Sequence, residues 1–269
     1  MSYDHPIGVF DSGVGGLTVF QEILKQLPRE RVVYFGDTGH VPYGGRSPEE
    51  LIRFADSITA FLIEQGVKLI LDACNSTSSV ALPYLQARYE IPIIGVVEAG
   101  VKMALQVTRN GKIGIIATEA TIKSGVHRRL ILEREPKAEV FGQACPLFVP
   151  LVEAGNVDGP ETRRVAAEYL FPLKQAGVDT LIFGCTHYPY LAPVVQEIMG
   201  KEVALVDPAV ETVRQAKEIL IRMNKLSEGI KPGFNHTFYV SGSPEQFKRV
   251  ARQLTGLGLI EEVKQVILD

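Results

Sequence analysis

Two stretches of the chain repeat one another, and this repeat limits the possible fold more than any other feature. Gly66 begins an apolar run that ends at Cys74, and Gly177 begins a similar run that ends at Cys185. The offset is 111 residues for the glycine pair and for the cysteine pair. A glycine that ends a helix and is followed by an apolar strand is typical of α/β units. The repeat therefore predicts two similar α/β domains with mainly parallel sheets, related by a pseudo-twofold axis.

Polar residues follow both cysteines, in segments 75–79 and 186–189. In open parallel sheets, ligands bind where strands end and helices begin. A simpler interpretation is that such units look alike and that cysteine is often buried. That interpretation explains the similar strands but not the polar segments after them. We therefore expect Cys74 and Cys185 to face one site in the cleft between the domains.

The opening segment predicts a strand over residues 6–10, a polar glycine loop and a helix to residue 27. The glycines of the loop do not fit the spacing of a dinucleotide-binding motif. Asp11 and Ser12 are therefore predicted to face a substrate. Further on, Ser47 and Glu50 predict a capping box at the start of a helix that ends at Gly66.

The later elements follow the same alternation of strands and helices. Strands are expected at 91–97, 112–118, 203–206, 237–240 and 260–263, and helices at 98–109, 119–133, 208–223 and 244–254. We predict a first domain over residues 1–97 and a second over 98–207. Periodicity alone does not assign residues 208–269 to either domain.

Charge and composition exclude several classes of function. The formal net charge is −3, and no block of Lys and Arg is interleaved with aromatic residues, which argues against nucleic-acid binding. No apolar run is long enough for a membrane span, and residues 1–5 lack the features of a signal peptide. An odd count of three cysteines predicts free thiols in the cytoplasm. Cys145 lacks polar neighbours, so we interpret it as a packing residue.

Two thiols on opposite walls of a cleft suit inversion at a carbon that carries hydrogen. One base removes the proton and an acid on the other face returns one. Free cysteine has a pKa of roughly 8.5, so the base must be activated by its surroundings. His187 and Asp11 can carry protons to and from the thiols, and Asn75, Ser76 and Thr186 are suitable donors for a carboxylate.

Each of these groups has a structural alternative. Asp11 can cap the following helix, and His187 can be a buried structural histidine. Tyr43 and Gly44 can be ordinary loop residues, and Glu153 a solvated charge. We favour the functional interpretation because all of these groups are expected around two matched cysteines.

Several motifs together resemble the glutamate racemases of the cofactor-independent aspartate/glutamate racemase superfamily. They are Asp11-Ser12-Gly13-Val14-Gly15-Gly16-Leu17, Gly36-Asp37-Thr38, Pro42-Tyr43-Gly44, Ala73-Cys74-Asn75, the segment from Cys145 to Glu153, and Gly184-Cys185-Thr186-His187-Tyr188-Pro189. The resemblance implies interconversion of L- and D-glutamate, which supplies D-glutamate for peptidoglycan, without pyridoxal phosphate or metal. It also implies that the C-terminal segment returns to the first domain, and it suggests a homodimer.

The resemblance also implies a role for individual residues. Cys74 and Cys185 would be the two acid/base groups, assisted by Asp11, His187 and Glu153. Substrate would be bound by Asp11, Ser12, Tyr43, Gly44, Asn75, Ser76, Thr118, Thr121, Thr186 and His187. One departure is Ser76, where the family usually has threonine. Serine keeps the hydroxyl and loses a methyl group, so we expect altered affinity and retained activity.

Three other functions remain open on the residues alone. A related racemase acting on aspartate or hydantoin would use the same two thiols. A two-domain binding protein would close on its ligand without reacting, but it would leave the matched cysteines unexplained. A metal site formed by Cys74, Cys185 and His187 would lack the clustered ligand spacing of most zinc sites.

Overall fold

The computed structural model describes residues 5–227, 236–256, 260 and 262–268. Its strands are β1 (Ile7–Asp11), β2 (Val32–Gly36), β3 (Leu69–Asp72), β4 (Ile93–Gly95), β5 (Lys112–Ala117), β6 (Glu139–Ala144), β7 (Thr180–Gly184), β8 (Ala204–Val206), β9 (Thr237–Val240) and β10 (Val263–Gln265). Its α-helices are α1 (Leu17–Gln26), α2 (Pro48–Glu64), α3 (Asn75–Val80), α4 (Leu82–Arg88), α5 (Val96–Val107), α6 (Glu119–Ser124), α7 (Val126–Arg134), α8 (Phe148–Glu153), α9 (Pro160–Ala176), α10 (Ala192–Met199), α11 (Pro208–Arg222) and α12 (Pro244–Thr255). Short 3₁₀ helices cover Tyr43–Gly45 and Tyr188–Leu191.

The strands form two parallel sheets. The first has the order β10-β9-β2-β1-β3-β4, and the second has the order β6-β5-β7-β8. Near-continuous apolar strands such as β1 and β7 are buried on both faces, as is usual when helices cover both sides of a parallel sheet. The expected α/β architecture with mainly parallel sheets is confirmed.

The C-terminal strands belong to the sheet that the N-terminal strand begins. β9 pairs with β2, and β10 pairs with β9. Sequence periodicity left this segment unassigned, because its pairing partner lies about two hundred residues away in the chain. The limits of the two predicted domains, 1–97 with 208–269 and 98–207, stay a prediction.

The 111-residue repeat corresponds to a repeat of structure. α2 and β3 in one half match α9 and β7 in the other. The helices are followed by Gly66 and Gly177, whose φ angles of 73° and 72° lie in the left-handed region, which favours glycine. The capping box between Ser47 and Glu50 is present at the start of α2. These local predictions are confirmed.

Three predicted elements have different bounds. The strand expected over 91–97 covers only Ile93–Gly95, and α5 begins at Val96, because a buried apolar pair fits a strand or a helix equally well. The single helix expected over 119–133 is divided at Gly125, whose φ of 65° ends α6. The strand expected over 260–263 begins at Val263 and extends to Gln265, while the buried Ile260 precedes it.

Within the residues the structure describes, no helix has the length and apolar character needed to cross a membrane.

Candidate active site

A cavity of about 220 Å³ lies where strands of both sheets end. Cys74 enters it just after β3, and Cys185 enters it directly after β7. Its walls are formed by Ser12, Pro42, Tyr43, Gly44, Gly45, Cys74, Asn75, Ser76, Thr118, Glu119, Cys145, Pro146, Val149, Cys185, Thr186 and His187. The two matched thiols therefore line one cavity and approach it from different sheets.

Most of the predicted site residues line this cavity. Ser12, Tyr43, Gly44, Cys74, Asn75, Ser76, Thr118, Cys185, Thr186 and His187 do so. Asp11, Thr121 and Glu153 are not among its lining residues, but each is hydrogen-bonded to one that is. The structure thus brings all the predicted site residues together, three of them behind the wall.

The Cys185 wall carries a chain of three groups. Nδ1 of His187 lies 3.8 Å from Sγ of Cys185, and Nε2 of the same ring lies 2.8 Å from Oε1 of Glu153. Burial opposes the charge on the fully buried ring, but hydrogen bonds to Cys185 and Glu153 outweigh it and raise the pKa of His187 well above its usual value. An imidazolium in this position can donate a proton toward Cys185 or stabilise its thiolate.

The Cys74 wall has different surroundings. Cys74 precedes α3, and its backbone N–H donates to Oδ1 of Asp72 over 3.2 Å. Burial, together with the nearby charge of Asp11, raises the pKa of the Cys74 thiol above its usual value. The geometry therefore favours a neutral thiol on this wall when the cavity holds no substrate.

Asp11 links the two sheets at the centre of the site. Oδ2 accepts the backbone N–H groups of Gly13 and Gly16 at 3.1 and 3.0 Å, so Asp11 orders the loop before α1, whose N-cap is Gly16 and has no side-chain cap. Oδ1 accepts the Thr186 hydroxyl at 3.1 Å from the other sheet. The structural and functional interpretations of Asp11 are therefore compatible, since one carboxyl group orders the loops on both sides.

Gly15 allows these loops to approach each other. A Cβ atom at this position would lie 2.4 Å from Nδ1 of His187 and 2.5 Å from Oγ1 of Thr186. Real Cβ atoms do not occur at such distances. A residue without a side chain is therefore required where the two halves meet.

The polar groups aimed at the cavity are suited to a carboxylate. Neither Oδ1 nor Nδ2 of the buried Asn75 has a hydrogen-bond partner among the described residues. The hydroxyls of Ser76 and Thr118 lie 3.0 Å apart, and Thr121 contacts both. A buried amide without partners is costly, and the carboxylate of a bound ligand could accept a hydrogen bond from Nδ2 of Asn75.

Tyr43 is held by a network that sequence reasoning did not predict. Its hydroxyl donates to Oδ2 of Asp37, and burial beside that carboxyl group raises the pKa of Tyr43 well above its usual value. Ser241, on the loop after β9, donates to Oδ1 of Asp37 over 2.6 Å. Asp37 lies in a motif that resembles the family, but its contact with the distant Ser241 has no signal in the local pattern.

Six wall residues were not predicted, namely Pro42, Gly45, Glu119, Cys145, Pro146 and Val149. Cys145 was interpreted as packing, and it does belong to an apolar core cluster. It also contributes to the cavity wall. Across the described ranges, no three His, Cys, Asp or Glu side chains are grouped closely enough to hold a metal ion, so the geometry does not support the alternative metal site.

Comparison with known proteins gives a consistent result. The family model for Asp/Glu/Hydantoin racemase matches residues 7–216. A glutamate racemase from Geobacter metallireducens is 48% identical over 263 residues, which cover 98% of this chain and 97% of that protein.

Solved structures are similar over nearly the whole chain. Glutamate racemase isoform RacE1 from Bacillus anthracis has a TM-score of 0.91 at 36% identity, with coverage of 98% of this chain and 97% of that one. Glutamate racemase from Francisella tularensis, solved in complex with D-glutamate, has a TM-score of 0.90 at 35% identity, with coverage of 99% and 98%.

Proposed function

The chain belongs to the Asp/Glu/Hydantoin racemase family, and we propose that it interconverts L- and D-glutamate by proton transfer between two cysteines. The observation that carries the proposal is the pair of thiols, Cys74 and Cys185, in one cavity at the ends of strands from two sheets. Inversion of a carbon requires a base on one face and an acid on the other, and this pair provides both.

The reaction needs one thiolate and one thiol. The thiolate takes the α-proton, and the electron pair of the broken C–H bond moves into the carboxylate. The neutral thiol then donates its proton to the opposite face of the α-carbon and becomes the thiolate. The product is the other enantiomer, and the two sulfurs have exchanged protonation states, since the former thiolate is now a thiol and the former thiol a thiolate. The carboxylate carries its greatest negative charge after the α-proton has left and before the second proton arrives. Hydrogen-bond donors already in place around the carboxylate stabilise this charge and lower the barrier.

The residues around the thiols have distinct tasks in this scheme. His187, backed by Glu153, stabilises the thiolate of Cys185. The Asn75 amide and the hydroxyls of Ser76 and Thr118 bind substrate carboxylate groups. Asp11 orders the loops on both sides of the cavity. Tyr43, Gly44, Ser12 and Thr186 complete the substrate-facing wall.

Glutamate is the proposed substrate because glutamate racemases are similar to this chain over essentially their full length. The product D-glutamate would enter peptidoglycan synthesis. Aspartate is the alternative to test, since it presents the same reacting carbon on a side chain one methylene shorter.

The proposed cellular location is the cytoplasm, where a reducing environment keeps Cys74 and Cys185 as thiols. We also propose a homodimer. Light scattering of the purified protein during size-exclusion chromatography tests this, and a single species at the mass of one chain would contradict it.

The deciding experiment incubates the purified protein with L-glutamate in deuterated buffer and adds no cofactor. We expect the circular dichroism of the amino acid to decay to zero while deuterium enters the α-carbon of the D-isomer. Racemisation of L-aspartate but not L-glutamate would keep the mechanism and reject the substrate. No exchange with any amino acid would reject the racemase and favour a binding protein.

A further inference from the structure

Asp72 is a buried carboxyl group for which the proposed reaction has no use. It is the last residue of β3, and its exposed fraction is 0%. Side chains alternate along a strand, so Asp72 shares a face with Ile70, which packs with Phe10 in an apolar cluster. Its equivalent in the 111-residue repeat is Phe183 on β7. An apolar residue therefore suits this position, and a carboxyl group here needs a reason.

The contacts of Asp72 are directed at Cys74. Oδ1 accepts the backbone N–H of Cys74 at 3.2 Å and the hydroxyl of Thr77 at 2.6 Å. That hydroxyl also lies 3.1 Å from the carbonyl oxygen of Cys74. The second oxygen of Asp72, Oδ2, has no hydrogen-bond partner in the part of the chain that the structure describes. Asp72 and Thr77 together thus contact both backbone polar groups of the cysteine.

We propose that Asp72, acting with Thr77, is a positioning residue that fixes the backbone of Cys74 and so the reach of its sulfur toward the substrate α-carbon. This inference rests on the proposed racemisation. Proton transfer depends steeply on the placement of the reacting atoms, and a displacement of about 1 Å can cost on the order of a hundredfold in rate.

The protonation state of Asp72 fits this task. Burial raises its pKa well above the usual value, although hydrogen bonds from Thr77 and Cys74 oppose the rise. A proton on Oδ2 leaves Oδ1 free to accept both observed donors. A neutral carboxyl group also opposes a Cys74 thiolate less than a carboxylate at the same place. An amide has the same shape, the same acceptor and no charge, so Asp72→Asn keeps the features that positioning needs.

The test compares four variants with the wild-type enzyme. The double variant Asp72→Val/Thr77→Ala is expected to lower kcat about tenfold or more with KM changed by less than about threefold. Thr77→Ala alone is expected to lower kcat by a smaller factor. Asp72→Asn is expected to retain most of the wild-type activity. Ser78→Ala is the matched control, because it removes a buried hydroxyl from the same helix that has no hydrogen-bond partner among the described residues, and it keeps the backbone N–H that donates to Cys74.

Deuterium at the α-carbon shows which thiol is affected. The two enantiomers have equal energy, so kcat/KM falls equally in both directions and cannot distinguish the thiols. If proton transfer at Cys74 is slowed, that transfer limits the rate in both directions of the racemisation. The primary isotope effect on kcat/KM then grows for the enantiomer whose proton Cys74 removes and falls toward the equilibrium isotope effect for the other. Glu153→Gln, which acts on the opposite wall, is expected to shift the two isotope effects in the opposite directions.

These ratios are independent of how much of a variant is folded, so partial misfolding does not imitate the result. A double variant with wild-type kcat and isotope effects would overturn the inference. So would an Asp72→Asn variant as impaired as the double variant, because the acid proton or charge would then be required. A wild-type enzyme that leaves glutamate unchanged would instead overturn the proposed function itself.

Discussion

The Cys74 wall and the Cys185 wall each place a cysteine sulfur atom in the cavity, but the charged groups around the two sulfurs differ. Beside Cys185 stand His187 and Glu153, and the histidine brings a positive charge to within 3.8 Å of the thiol. The ionisable groups near Cys74 are instead two carboxyl side chains, Asp11 and Asp72. In the repeat, His187 and Ser76 occupy equivalent positions. Asp72 and Phe183 are also equivalent, so the repeat places an imidazole beside Cys185 and a carboxyl group beside Cys74.

The difference shows what the repeat preserves and what it leaves free. Helix, glycine and strand recur with the same spacing, so both cysteines arrive at the ends of their strands. The activating groups do not recur. This asymmetry agrees with the chemistry, because the resting enzyme needs one base and one acid, and two equally activated thiols would both be charged or both be neutral.

The largest expected effect comes from removing one thiol at a time. Cys74→Ser and Cys185→Ser are each expected to lower racemisation by about a thousandfold or more, within the range for loss of an acid/base group. Each variant should still exchange the α-proton of one enantiomer with deuterium, and the two variants should act on opposite enantiomers. Proton NMR in deuterated buffer measures this. Exchange of the same enantiomer by both variants would contradict a site with one thiol on each face.

Gly15→Ala is expected to have a smaller but substantial effect, a loss of kcat of about tenfold or more. The added methyl group would collide with His187 and Thr186, which lie beside Cys185, so we expect the main displacement on the Cys185 wall. Steady-state rates with α-deuterated L- and D-glutamate test this. We expect the isotope effects to change as they do for Glu153→Gln. A change in the opposite sense would place the damage at Cys74.

The smallest expected effect is on protein stability, and its pH dependence tests the charge of His187 on the Cys185 wall. The pKa of folded His187 lies above its unfolded value of about 6.5, so the stabilisation by Glu153 is complete below that pH and is lost as the pH rises through the folded value. The free energy of unfolding of Glu153→Gln should therefore be below that of the wild type at about pH 5.5 and should approach it in alkali. Denaturant titrations at several pH values measure the difference, and a gap that widens with pH would contradict the assignment.

Local signals were sufficient for much of the fold and most of the site. The cysteines, the glycines after α2 and α9, and the capping box at Ser47 are contained in short segments whose backbone geometry depends on their own residues. The start of α5 was not predictable, because Val96 and Val97 are buried and apolar in either conformation. The division at Gly125 was not predictable either, because the residues on both sides of it fit one continuous helix.

The residues that sequence reasoning missed act through distant partners. Asp37 orders Tyr43 while it accepts a hydrogen bond from Ser241, which is about two hundred positions away. Cys145 is apolar in pattern and buried in fact, yet one side of it faces the cavity. In the sequence, Asp72 is only a charged residue at the end of an apolar strand, and its hydrogen bond with Cys74 is known only from the structure. A pattern shows that a residue is buried but not which neighbours it meets.

The position of β9 and β10 has a consequence for how the enzyme is made. The first sheet is completed by β9 and β10, and Asp37 gains its Ser241 partner, from residues that come after both cysteines in the chain. A chain that stopped before Thr237 would contain Cys74 and Cys185 but would lack two strands of this sheet and the hydrogen bond from Ser241 to Asp37. A transcript cut short at that point is therefore expected to yield both cysteines in an incomplete catalytic pocket.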